Sequence, residues 1–132
     1  MPDCPRYDDD FFAWTQHQAA VLRSLPGANN RFDRERVAEE IEELGRSERD
    51  AVRNQIRRVI EHFLKLAHSP ARQARFDWMA LIVEARGILF DKLTPTLRRD
   101  VESMLPRLYQ DGRRPAECPY RLDDLLRDDW YP

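Results

Sequence analysis

The stretch FDRERVAEEIEELGRSERDAVRNQIRRVIEHFLKL, Phe32 to Leu66, keeps one helical phase from end to end. At about 100° per residue, Val37, Ile41, Leu44, Val52, Ile56, Val59, Phe63 and Leu66 fall on one side. Asp33 is placed to cap its start, with Glu35 in the first turn. Gly45 and the Ser47–Asp50 pair offer a place to break. The apolar phase is the same before and after Gly45, which predicts one helix, bent or straight. Thirty-odd helical residues span about 50 Å. A compact domain of this length has a diameter of roughly 36 Å. Such a helix overhangs unless something covers its apolar side.

The rest of the chain punctuates into further helices. Asp8, Asp9 and Asp10 precede FFAWTQHQAAVLRSL, and acids before an apolar-periodic run mark a helix start. Pro26-Gly27 stops it, and Ala28 to Arg31 reads as a polar loop. Ser69-Pro70 reads as the start of a third helix through RFDWMALIVEARGILFDKL. Its apolar residues, Phe76, Met79, Ile82, Val83, Leu89 and Phe90 among them, cover more than one face. A helix apolar nearly all round is expected at the centre of a bundle. Thr94-Pro95 opens a fourth helix, which Pro106 kinks or divides to leave PRLYQDG as a short fifth. The tail ECPYRLDDLLRDDWYP holds a helical turn near Leu122 to Leu126, with Trp130 and Tyr131 pinning the end. The expected fold is all-α: a single domain, residues 1–132, forming a bundle of four to five helices plus a short C-terminal helical turn, built around the long helix.

Composition excludes several functions. The 132 residues carry a net charge of −2 although 35% are charged, which argues against a general nucleic-acid binder. Of 22 basic residues only Lys65 and Lys92 are lysines, a bias that fits either a GC-rich genome or bidentate Arg–carboxylate pairing. Cys4 and Cys118 show no metal-type spacing, and no apolar run approaches a membrane span, so a cytoplasmic protein with reduced thiols is expected.

The long helix segregates its charge. Glu35, Glu39, Glu42 and Glu43 lie in its first part, and Arg46, Arg49, Arg53, Arg57 and Arg58 in its second. This order suits the helix dipole, and it also suits antiparallel self-association. Val37, Ile41, Leu44, Gly45, Val52 and Ile56 are the candidate interface for a homodimer or a protein partner. Glu48, Gln55 and His62, at seven-residue spacing, form a candidate polar stripe. No Glu-x-x-His pair, His-Glu-x-x-His motif or glycine-rich phosphate loop is present, so no catalytic, cofactor or metal residue is assigned. The leading expectation is a non-enzymatic module. Its alternatives are a metal-dependent or hydrolytic enzyme using His62 with nearby carboxylates, and an Arg-stripe nucleic-acid binder.

The motifs YDDDFFAW, LGRSER within VAEEIEELGRSER, HFLK, ECPYRLDDLL and DDWYP, in that order, resemble a bacterial family catalogued as domain of unknown function twenty-nine. The resemblance covers nearly the whole chain and implies a small helical protein with no established activity. Tyr7, Asp10, Trp14, Glu40, Gly45, Glu48, His62, Lys65, Cys118 and Tyr120 match its pattern. Departures are Leu66 where Trp is common, a longer PGANNRF loop and a shorter segment before Glu117.

Overall fold

The computed structural model describes residues 4–27, 31–109 and 118–132. Most of the expected loop at 28–31, and the end of PRLYQDG, lie outside the described residues. The elements are α1 (Phe11–Ser24), α2 (Arg34–His68), a 3-10 turn (Arg72–Ala74), α3 (Arg75–Lys92), α4 (Pro95–Tyr109) and α5 (Leu122–Leu126). The fold is all-helical, as its periodicities predict.

The long helix is unbroken, and Gly45 explains how its overhang is covered. Antiparallel α1 lies along the first half of α2. At their contact a Cβ on Gly45 would sit 2.0 Å from Thr15 Oγ1 and 3.1 Å from Thr15 Cβ. Thr15 is fully buried there, its hydroxyl donating to Phe12 O at 2.7 Å. Glycine leaves the room that the Thr15 side chain fills, and Ala19 and Ala38, on the same two helices, are buried completely. Arg23 at the far end of α1 pairs with Glu35 and Glu42 of α2. Gly27, at φ 90°, turns the chain after α1, and Arg34 reaches back to donate to the carbonyls of Leu25 and Gly27.

The second half of α2 carries the core. Val52, Ile56, Val59, Ile60, Phe63 and Leu66 pack against Ile82, Ala85 and Leu89 of α3 and Leu97, Val101 and Leu108 of α4. Helix α3 runs antiparallel to α2: Lys92 donates to both carboxylate oxygens of Glu48, and Arg75 donates to Leu66 O. Arg53 forks onto Asp100 at 2.8 and 2.7 Å and fixes α4 to α2.

Three expectations are corrected. The third helix starts at Arg75 and not beside Ser69-Pro70; Ser69 is the C-cap of α2, and its Oγ accepts from Ala71 N instead. Pro106 lies inside α4 without ending it at that point. The centre of the bundle is α2 and not α3. Only the Ile82, Ala85, Arg86 and Leu89 side of α3 is buried, and its opposite side meets solvent.

Asp10 ties two helix starts together. Its Oδ1 accepts from Ala13 N of α1 at 3.1 Å, and its Oδ2 accepts from Thr96 N of α4 at 3.0 Å. Burial pushes its carboxyl up, but hydrogen bonds from Thr96, Ala13 and Thr94 outweigh burial and hold it below the ordinary 3.8. Asp10→Ala removes two caps and should cost about 2 kcal/mol at neutral pH, read from urea midpoints. The folded carboxyl is the more acidic, so this contribution is present at neutral pH. The share that depends on the carboxylate charge should be lost as the pH falls through and below 3.8, narrowing the gap between wild type and variant.

Candidate functional site

The polar stripe does not form a catalytic constellation. Glu48 is spent on Lys92. Gln55 is half-buried, with Oε1 lacking a hydrogen-bond partner. His62 is 6% exposed, and its Nδ1 lies 2.7 Å from Arg58 O, one turn earlier on the same helix. A carbonyl only accepts, so that nitrogen carries the proton. The surface cleft beside His62 in sequence is lined by neighbours such as Arg57, Glu61, Lys65, His68 and Tyr109 and not by His62 itself. Among the described residues no three His, Cys, Asp or Glu side chains converge as a metal site. Both cysteines are free, and burial pushes the Cys118 thiol up, away from the reactive thiolate.

Three of the five arginines of the stripe are paired with an acid. Arg46 binds Glu43, Arg49 binds Asp50, Arg53 binds Asp100, and Arg57 donates to Asn54. Phosphate contact would compete with these partners. No described helix is long and apolar enough to cross a membrane.

The candidate interface on α2 is divided by the fold. Gly45 is buried under α1, and Val52 and Ile56 are fully buried in the core. These three are corrected out of any docking surface, because intramolecular packing already consumes them. Val37 and Ile41 are half-buried, and only Leu44, 57% exposed, faces water.

The strongest exposed apolar surface lies on α3. Phe76 is 80% exposed, Val83 58% and Phe90 89%. Their seven-residue spacing places them in one row along the side of α3 that turns away from α2. Ala80 and Gly87 are exposed on the same side. In the sequence these residues pass for core, because apolar positions around a whole helix do not reveal which side a neighbour covers. The recurrence of an apolar residue followed by an acid, in Phe76-Asp77, Val83-Glu84 and Phe90-Asp91, was the signal available for an outer face.

A second feature invisible in sequence is Arg86, which anchors the C-terminal tail. It is 4% exposed and donates to the carbonyls of Leu125, Asp124 and Trp130 at 2.9, 3.0 and 2.8 Å. Its guanidinium carbon lies 5.3 Å from the Phe63 ring centre and 5.1 Å from that of Tyr131. Phe63, Tyr120 and Trp130 pack edge to face around it. Burial pulls the guanidinium's pKa down, and Tyr131, Asp128 and Asp129 counter it. The tail is therefore docked, and Leu66 is buried in the core.

Residues 6–131 match the family model described as Domain of unknown function DUF29. Among solved structures, the chain is similar to an alpha-helical protein of unknown function from Rhodospirillum rubrum, whose crystal structure was determined at 1.45 Å. The two are 26% identical with a TM-score of 0.77, over 96% of this chain and 92% of that one. No curated protein matches.

Proposed function

The chain belongs to the DUF29 family, and from that premise we propose that it is a non-enzymatic, protein-binding helical module. In this reading α2 is the scaffold and the outward face of α3 is the docking surface. The observation that carries it is the exposure of Phe76, Val83 and Phe90 in a single row. Two phenylalanine rings this exposed leave on the order of 300 Å² of apolar surface in water, spaced along the helix with Val83 between them, and a covering partner would remove that cost. No such concentration surrounds His62, whose imidazole is engaged within its own helix. Self-association is one form this binding can take. On α2, however, only Val37, Ile41 and Leu44 are left to support it.

The test is selection of displayed helical peptides on the immobilised protein, with Phe76→Asp/Phe90→Asp as counter-selection. Both positions are solvent-exposed, so the double variant should melt within a few degrees of wild type. Selected peptides should bind wild type and lose the variant. Peptides that bind both proteins equally would place docking elsewhere and contradict the proposal.

A further inference from the structure

We propose that the outer face of α3 receives an amphipathic helix of a partner protein whose apolar side is bordered by a row of Lys or Arg. This rests on the reading of α3 as a docking face and adds the chemistry of its partner.

The face repeats one unit three times: Phe76-Asp77, Val83-Glu84 and Phe90-Asp91, all six residues exposed. The small residues Ala80 and Gly87 fall between successive units on the same side. A Cβ added to Gly87 would meet nothing within 4 Å. Large side chains at seven-residue spacing, with small ones four residues on, make ridges and holes of the kind that a second helix fills. The seven-residue period is that of helix packing along a helix and not of a round pocket.

The acidic row selects the partner's charge. Asp77, Glu84 and Asp91 take part in none of the ion pairs among the described residues. Several acids elsewhere are taken: Glu42 by Arg23, Glu43 by Arg46, Glu48 by Lys92, Asp100 by Arg53 and Asp123 by Arg98, whereas Asp8, Asp9 and Glu40 likewise enter no ion pair among the described residues but do not border a row of exposed large apolar side chains. Three uncompensated carboxylates beside an apolar row favour a basic border on whatever covers that row.

A second copy of the chain meets this demand poorly. Two antiparallel α3 helices centred on Val83 and Glu84 set Glu84 against Glu84 and Asp77 against Asp91. Two parallel ones bring no basic row to the acids, because, of the basic residues of α3, Arg75 donates to Leu66 O, Arg86 is buried and Lys92 is held by Glu48. Leu44, the exposed apolar residue of α2, follows Glu42 and Glu43 and supplies no positive border. An anionic lipid surface is repelled by the same three acids.

The experiment titrates three fluorescent helical peptides onto the full-length chain. All carry Leu at heptad spacing, and their bordering row is Lys, Gln or Glu. The Lys peptide should bind tightest and weaken as NaCl is raised. Asp77→Lys/Glu84→Lys/Asp91→Lys should weaken it by roughly tenfold and reverse the preference toward the Glu peptide. Phe90→Asp should abolish binding of all three, with circular dichroism confirming the fold. If the Gln or Glu peptide binds wild type as well as the Lys peptide, and Phe90→Asp still abolishes binding, the basic partner is wrong and the docking face stands. If no peptide binds, if Phe90→Asp changes nothing, or if vesicles of mixed zwitterionic and anionic lipid bind in preference, both are overturned.

Discussion

Gly45→Leu should destabilise the protein by about 3 kcal/mol or more, with α1 displaced from α2. The cause is local overpacking. A Cβ alone would already stand 2.0 Å from Thr15 Oγ1, and Thr15 is buried with no room to retreat. Leucine is a better helix former than glycine by most of 1 kcal/mol, so a loss cannot come from helix propensity. Gly45→Ala should cost less, because it adds the Cβ alone and none of the leucine atoms beyond it. Adding Thr15→Ala removes the nearest atom and should restore part of the loss, which a double-mutant cycle measures as coupling. Equal urea midpoints for wild type and Gly45→Leu would mean that α1 does not seat on Gly45.

Arg86→Met should cost about 3–5 kcal/mol and release the tail. Methionine keeps the stem and removes the three hydrogen bonds to Asp124, Leu125 and Trp130. Two of those carbonyls lie in the last turn of α5, beyond Asp123, whose own carbonyl accepts from Arg127 N. The free guanidinium Nη1 has no hydrogen-bond partner, and aromatic faces on two sides stand in for one. A Tm fall of roughly 10 °C is expected for a chain of this size. Trypsin should then cut at Arg121 and Arg127 in the native state. Arg86→Lys should recover only part, because a single ammonium nitrogen cannot stand at both the Nε and Nη2 positions from which the guanidinium donates. An intact tail and an unchanged Tm in Arg86→Met would show that the aromatic packing of Trp130 suffices alone.

The elements were legible where local chemistry decides them. The phase of α2, its Asp33 cap, the Asp10 start of α1 and the Thr94-Pro95 start of α4 all follow from side chains near their own backbone. The roles of surfaces were not, because those depend on which neighbour arrives. Val52 and Ile56 read the same whether a partner or α3 and α4 cover them. The apolar circumference of α3 read as a central helix, although Phe76, Val83 and Phe90 face outward. Gly45 reads in the sequence as a place to break or an interface position, but what meets it is the Thr15 side chain of α1 in the same chain. Arg86 carries no local signal, since its acceptors lie 38 to 44 residues away. The candidate docking row emerged only from combining the apolar–acid doublets with their exposure.

The most direct test of the docking face is a titration of nitrogen-15-labelled protein with the Lys-bordered peptide, followed by amide chemical shifts. The account predicts that the largest perturbations cluster on residues 76–91, with the α2 surface around Leu44 and the environment of His62 little changed. Perturbations centred on Leu44, or on the cleft between Arg57 and His68, with α3 unmoved, would contradict it.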